Sequence, residues 1–429
     1  MRHWLIAALV FVYSSLVAAQ ECDVSSGAER TGIEEEVRTG FPETLNTTEK
    51  REAVIRDLLS KFSSYYDLEV VKQDTTSFKE QAASATSEHE FYNVIRDWVN
   101  TLYDKDGSSL FSSAREVNFS PDGFQSYAGI GMNVDGPGPK PSLFVLGIRP
   151  DGPAFAAGLR TRDQILAING IPCPEIPKVI GVEGTRVILT VQSPDEERRY
   201  LNLTRQLFTT NFDYSQAYRL ETHPTIGYFF IQTLDFDTTG TRNRNTLERL
   251  ADAGMKSHQK ILEGLILDLR FGGGGSIEVL NQFLGHFFEA GSRPYAMRNS
   301  LNNDDAPYLS PRDPNLSNLP VAVLVDESTI DIMVWLAASL KERPNTVLIG
   351  QASSENGFSY QAETLRDGSE FFFPNTILVV RNEDGDYLPL ENGRVTPDVL
   401  VEGNGFEFSL DEDPYIQTAL AELAKLQAE

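Results

Sequence analysis

Two short stretches of this chain hold residues whose types and spacing suit acyl-transfer chemistry. Residues 264–276 read Gly-Leu-Ile-Leu-Asp-Leu-Arg-Phe-Gly-Gly-Gly-Gly-Ser, an apolar run ending in a glycine turn ahead of a helical pattern. Backbone N–H groups at such a turn can donate to a developing oxyanion, because no side chain blocks the approach. The turn could also cradle phosphate, but no Lys or Thr follows to complete a phosphate-binding loop. The second stretch, residues 325–334, reads Val-Asp-Glu-Ser-Thr-Ile-Asp-Ile-Met-Val. Here Ser328 offers a hydroxyl and Asp331 a carboxylate. Ser-x-x-acidic before an apolar run is also the signature of a capping box, with Ser328 at the N-cap and Asp331 at N3 of a helix over Ile332–Leu340. Metal chemistry has no comparable candidates: His89, His223, His258 and His286 are scattered singly, without ligand spacing. No cofactor is expected.

Alternating strand and helix patterns must position these residues. After Arg205, Ile226–Gln232, Leu265–Leu269, Val321–Val325, Val347–Ile349 and Thr376–Val380 are near-continuous apolar runs. Helical spacing lies between several of them, at Arg244–Lys260, Ile277–Phe288 and Ile332–Lys341. Runs buried on both faces with helical crossovers imply a layered α/β domain with a largely parallel sheet. Residues 300–318 are polar, carry Pro307, Pro311 and Pro314, and read as a surface loop.

Upstream, Val54, Ile55, Leu58, Leu59 and Phe62, then Phe91, Val94, Ile95, Trp98, Val99 and Leu102, recur at helical spacing and mark core faces. The stretch Asp104–Gly123 is turn-rich and reads as irregular. From Tyr127 the pattern changes to short strands: Leu143–Ile148, Asp163–Ile168 closed by Asn169-Gly170, Val187–Val191 and Tyr200–Leu203. Pro153 opens a short Ala-rich helix that Gly158 ends.

The chain has 429 residues and a net charge of −25. So acidic a surface repels a phosphate backbone and an anionic membrane, which argues against nucleic acid and a lipid surface as partners. Arg2 and His3 precede an apolar run from Trp4 to Val12, and Val17-Ala18-Ala19 closes it as a signal-peptidase site before Gln20. That run is too short to span a bilayer, so an exported protein without a stable membrane anchor, periplasmic or extracellular, is expected. Export permits a bridge between the two cysteines, Cys22 and Cys173, but their spacing does not decide whether it forms. Four Asn-x-Ser/Thr sites begin at Asn46, Asn118, Asn202 and Asn315, and matter only in a host that glycosylates secreted proteins.

Residues 127–206 resemble a PDZ domain of the bacterial protease type. The matching features are Gly129-Ile130-Gly131, the Pro153-Ala154…Ala157-Gly158-Leu159 helix and the Asp163…Asn169-Gly170 element. Such domains add a peptide tail as an extra strand and hold its carboxylate on backbone N–H groups of a glycine-containing loop. The candidate loop is Tyr127, Ala128, Gly129, Ile130, Gly131 and Met132. Gly129 and Gly131 could equally serve a plain turn.

The order helical segment, PDZ-like domain, Asp268-Leu-Arg270-x-x-x-Gly274-Gly275, apolar strand and helix resembles the carboxyl-terminal processing peptidases over roughly residues 50–402. Val395-Thr396-Pro397-Asp398 matches a further hallmark of these tail-specific proteases. The resemblance implies a serine nucleophile, a lysine general base and an oxyanion donor at Gly274. The family's nucleophile motif falls here on Val325–Val334, with Asp331 at the nucleophile. The base motif falls on Gly350–Gly357, with Asn356 at the lysine. An amide has no useful proton affinity near neutral pH, so Asn356 cannot act as a base. Ser328, one helical turn before Asp331, is the fallback nucleophile. Lys341 lies at the far end of the following helix, and Ser353 and Ser354 in a neighbouring segment.

The expectation is therefore an α/β protein: a protease-like αβ core with a largely parallel sheet, an inserted PDZ-like β domain and a helical N-terminal region. Residues 1–19 form a signal peptide, 20–48 a loose tail, 49–125 the helical region, 126–206 the PDZ-like domain and 207–429 the core. The expected function is a catalytically degenerate homologue that binds polypeptide C-termini or unfolded segments. The alternatives are an active serine endopeptidase with a shifted nucleophile, and a scaffold whose groove is filled internally.

Overall fold

The structure, a computed structural model, describes residues 22, 45–65, 75–102, 111–112, 127–136, 138, 140–194, 196–209, 214–234, 262–299, 304–308, 316–354, 358–382 and 385–428. Its N-terminal region contains the helices Thr48–Tyr65, Thr75–Ser84 and Glu88–Leu102. The apolar stripes legible in the sequence bury Val54, Ile55, Leu58, Phe91, Ile95 and Val99 in one cluster. Phe78 stacks on Trp98 at 4.5 Å between ring centres. Leu365 and Phe371, from a hairpin of the core, close the same cluster. Lys61 pairs with Glu363 at 2.6 Å, and the Tyr92 hydroxyl donates to Asp367 at 2.8 Å, so the helices dock on that hairpin. Leu45, at the end of the stretch read as a loose tail, is fully buried.

The PDZ-like domain is an antiparallel sheet in the order Met132–Val134, Leu143–Ile148, Gln164–Ile168, Arg186–Gln192, Arg199–Thr204. Alternation places Val187, Leu189, Val191 and Leu203 in its core. Tyr127–Gly129 pairs with Gln206–Phe208 and brings the two ends of the domain together. A disulfide joins Cys173 to Cys22 with a Cα–Cα distance of 5.9 Å, anchoring the N-terminal stretch to this domain.

The core sheet runs Gln216–Arg219, Ile226–Phe230, Gly264–Asp268, Val321–Val325, Thr346–Gly350, Val399–Leu400. All neighbours are parallel except the first pair. One face packs Leu265, Leu267, Val321, Val323 and Val325 against the helices Ile277–Leu284 and Ile332–Lys341. The other packs Ile266, Ala322, Leu324 and Ile349 against the C-terminal helix Pro414–Leu426, through Tyr415, Ile416, Ala419 and Leu423. Every residue from Ile332 to Leu340 is buried, so this helix is apolar all round because it is enclosed all round.

Two sequence expectations are corrected here. Thr376–Val380 is not a strand of the parallel sheet; it lies within Glu370–Arg381, the centre of a separate antiparallel sheet. That strand pairs with Phe358–Thr364 as a hairpin and with Tyr295–Asn299 on its other side. An apolar run reports burial and not strand direction, and the hairpin partner decided the direction here. Within the stretch read as a surface loop, Asp305–Pro307 forms a short strand paired with Ala296–Arg298. Pro307 sits at the outer strand of that sheet, where a missing N–H is tolerated. The helical pattern Arg244–Lys260, the signal-peptide stretch and most of Asp104–Gly123 lie outside the described residues, although Phe111–Ser112 pairs with Glu370–Phe371.

Candidate active site and peptide groove

Parallel strands place functional residues at their carboxyl ends, where chain reversals cluster. Gly264–Asp268 and Val321–Val325 are adjacent, with Asp268 opposite Leu324, so the glycine turn and the Ser328–Asp331 turn meet at one edge of the sheet. The Ile330 N–H donates to Gly272 O at 3.0 Å, and the Thr329 hydroxyl to Leu269 O at 3.2 Å, which ties one turn to the other. Gly273 has no room for a side chain, since a Cβ would lie 2.4 Å from Ile330. Gly274 has φ +69°, a backbone that favours glycine, and a Cβ there would meet only the Thr233 hydroxyl, at 3.9 Å. That N–H is directed at the Asp331 carboxylate, Oδ2 at 3.3 Å. The residue expected at the nucleophile position and the glycine expected at the oxyanion position are thus in contact.

Asp331 does not sit at N3 of a capping box. It is the N-cap of the helix Ile332–Lys341, with φ 51° and ψ −129° and no side-chain cap bond. For a residue with a Cβ that backbone is strained by about 1–3 kcal/mol and persists only where the surroundings impose it. It is a sharp strand-to-helix turn of the kind that lifts a nucleophile above a sheet. Ser328 is not the N-cap either. Asp326 draws it into a tighter turn, accepting from the Ser328 N–H at 2.9 Å and from the Ser328 hydroxyl. The Ser328 Oγ in turn accepts from the Phe271 N–H at 2.7 Å, bracing the glycine turn. An Asp-x-Ser turn competes for the same hydroxyl as a capping box, and here it wins. Burial pushes the Asp326 carboxyl above its ordinary range, against the Ser328 hydrogen bond and the Arg270 charge.

The other candidates are accounted for differently. Asn356 lies outside the described residues. Lys341 is turned to the Val395–Asp398 segment, where its ammonium donates to Thr396 O at 2.7 Å and pairs with Asp398 at 3.1 Å. Ser353 is fully buried and exchanges hydrogen bonds with the Val395 backbone, while the Ser354 hydroxyl donates to Thr329 O. No group of three or more candidate metal ligands occurs among the described residues.

In the PDZ-like domain, Tyr127, Gly129, Ile130, Gly131 and Met132 line an apolar cavity of about 150 Å³, closed by Ile176, Val179 and Ile180. Ala128 is buried beneath it, and its carbonyl accepts from Gly181. The carbonyls of Ile130 and Gly131 accept from Ala154 and Arg149 inside the domain. An anion at this loop therefore meets no free carbonyl from these three residues. Gly131 has φ +76°, and a Cβ there would lie 2.9 Å from the Phe208 ring.

Two connections between groove and glycine turn were not legible in the sequence. Asn133, on the Met132–Val134 strand, donates through Nδ2 to Gln232 Oε1 at 2.8 Å, while the Gln232 carbonyl accepts the Gly273 N–H at 2.9 Å. One residue therefore links the groove strand to the glycine turn. The second is a buried chain of charge. Arg270 pairs with Asp268 at 2.6 Å and with Asp413 at 2.9 Å, and Arg162 of the PDZ-like domain reaches the same Asp413 oxygen at 2.9 Å. Asp413 also caps the C-terminal helix through the Tyr415 N–H. Burial alone would raise the Asp413 carboxyl, but Arg270 and Arg162 hold it below its ordinary range. Arg270 and Arg162 stack on Phe406, and Arg270 also on Tyr415. Asp268 and Arg270 belong to the Asp-Leu-Arg motif, but Arg162 and Asp413 lie in no motif and far from it in the sequence, so the network they complete gave no sequence signal.

A parallel core sheet with a glycine turn facing a strained strand-to-helix turn, joined to an antiparallel PDZ-like domain, defines the class of fold. Residues 225–401 match the model of peptidase family S41, and residues 144–193 that of the PDZ domain. The core of the chain is thus related to that family, and its listed relatives are carboxyl-terminal processing peptidases. It is 25% identical over 284 residues to the carboxy-terminal processing protease CtpB of Bacillus subtilis, covering 65% of this chain and 55% of the relative. It is 24% identical over 385 residues to carboxyl-terminal-processing peptidase 2, chloroplastic, of Arabidopsis thaliana, covering 84% and 71%. The chain thus spans little more than half of the Bacillus protein. Among solved structures, the photosystem II D1 C-terminal processing protease shares the fold with a TM-score of 0.51 at 20% identity, over 82% of this chain and 93% of that one. No helix among the described residues is long and apolar enough to cross a membrane.

Proposed function

We propose that this protein is an exported, catalytically degenerate tail-specific-protease homologue that binds polypeptide C-termini or unfolded segments instead of cutting them. The observation that carries the reading is the Asp331 carboxylate accepting the Gly274 N–H at 3.3 Å. A carboxylate there places negative charge where an oxyanion would develop and engages the donor meant for it. The groove supports the binding half of the reading: its apolar cavity, glycine loop and edge strand suit an extended peptide with an apolar last residue. The Asn133–Gln232 link keeps that strand next to the glycine turn, so a tail held in one reaches the other. A Kd of about 10 µM, equivalent to about −7 kcal/mol, is expected for a free apolar tail.

The competing reading, a working serine peptidase using Ser328, has less support, because the Ser328 hydroxyl is already engaged with Asp326 and the Phe271 N–H. The test is an assay of wild type, Asp331→Ser, Asn356→Lys and the double variant on one unfolded substrate. Loss of a nucleophile costs on the order of 10⁶ in kcat, so wild type should sit at background. Asp331→Ser alone should gain little, and the double variant should gain measurable turnover once the lysine is desolvated enough to lose its proton. Wild-type cleavage blocked by a fluorophosphonate would overturn the reading. For binding, Gly129→Val should weaken capture of a tail peptide, since even a Cβ there meets the Tyr127 ring at 2.9 Å. Amidation of the peptide's terminus should weaken it in the same way.

A further inference from the structure

We infer that Asn202 is an N-glycosylation site whose first sugar packs on Tyr200 and Ile188, covering the outer edge of the PDZ-like sheet. Asn202-Leu203-Thr204 is an acceptor sequence on the strand Arg199–Thr204. Along this strand Tyr200, Asn202 and Thr204 are exposed while Leu203 is buried, so the first three share the solvent face. Ile188 is paired directly with Asn202 on the neighbouring strand and is itself 43% exposed, and Tyr200 is 72% exposed. Asn202 therefore stands between two exposed apolar side chains, which a sugar on its amide would cover. The apolar C–H face of N-acetylglucosamine stacks on an aromatic ring, and a residue two positions back on a strand stands beside the modified nitrogen.

The position of the strand adds a second argument. Arg199–Thr204 ends the sheet at the side opposite Met132–Val134, the groove strand. An open edge with unpaired backbone groups invites pairing with another chain, and proteins block such edges. A glycan on the solvent face of this last strand would crowd a chain approaching its edge, on the side away from the groove strand. The Cys22–Cys173 bridge belongs to the oxidising compartment in which this modification takes place.

In the transfer, Asn202 Nδ2 forms a bond to C1 of an N-acetylglucosamine carried on a polyprenyl diphosphate. The C1–O bond breaks, the diphosphate leaves with the electron pair, and the amide nitrogen gives up one proton to the transferase's base.

The full chain is to be secreted from a eukaryotic host together with a reporter glycoprotein, and both mapped by mass spectrometry before and after peptide-N-glycosidase. Asn202 is expected to carry a glycan that Asn202→Gln lacks. The enzyme-treated protein should bind more of an apolar dye and melt lower by about 2 °C, and Tyr200→Ser should remove that difference. An unmodified Asn202 beside a modified reporter overturns the site. A modified Asn202 whose removal changes neither dye binding nor Tm overturns the packing on Tyr200 and Ile188.

Discussion

Two groups of carboxylates brace the glycine turn and the Ser328–Asp331 turn, and they are held in opposite ways. Asp268 and Asp413 face guanidinium groups, each fully buried and each bonded to Arg270. Asp326 and Asp331 face hydroxyl and backbone N–H donors. The first group is a framework: charge is neutralised where it is buried, and it fastens the glycine strand, the PDZ-like domain and the C-terminal helix to one another. The second keeps the backbone of a reactive turn, strained φ included, with no cation among the hydrogen bonds just named. The lesson is that a buried ion network and a set of local hydrogen bonds shape the two turns at the end of one sheet by separate means.

Arg270→Met should break the framework side most severely. It leaves Asp268 and Asp413 buried without their shared cation, a change that costs about 3–5 kcal/mol. Urea denaturation should show a large fall in midpoint, or the protein should fail to fold. Acid should weaken the same framework by degrees. The folded Asp413 carboxyl is depressed, so the stability it contributes is fully present above its unfolded value and is lost as pH falls through the folded one. Asp413→Asn should therefore flatten the acid limb of a stability–pH curve while lowering stability at neutral pH. Asp326 runs the other way: its raised carboxyl favours the fold at low pH and loses that contribution as pH rises through the folded value.

On the reactive-turn side, Ser328→Ala removes the hydroxyl that joins Phe271 N–H to Asp326. A loss of about 1–3 kcal/mol is expected, with no change in peptide binding. A loss of peptidase activity in this variant would instead favour Ser328 as nucleophile. The smallest effect should be a gain. Asp331→Gly relaxes the positive φ and should raise stability by about 1 kcal/mol, whereas Asp331→Ala should not. Equal stability of the two variants would show that the backbone there carries no strain.

Much of this architecture could be read from residue order. Val321–Val325 and Ile332–Lys341 take the bounds their hydrophobicity implies, because a strand and a helix enclosed almost throughout read as near-continuous apolar runs. Leu143–Ile148 is equally clear, bounded by Pro141 and Pro150. Reading failed where two local rules competed or where partners were distant. Ser328 satisfied both a capping box and an Asp-x-Ser turn, and only the neighbouring Phe271 N–H decided between them. The sheet of Thr376–Val380 was not legible because one partner strand, Tyr295–Asn299, lies some eighty residues back, with four other strands between. The contact of Asn133 with Gln232, 99 residues apart, has no local signature at all.

The bridge between Cys22 and Cys173 spans a sequence separation of 151 residues. Within that span lie the N-terminal helices and the first strands of the PDZ-like domain. A single peptide-bond cut anywhere inside it produces two pieces that remain one molecule. Such a nicked form would run as a single band on a gel without reductant and as two bands with it. Limited proteolysis of this protein therefore needs to be read under both conditions, since intactness in the first is no measure of an uncut chain.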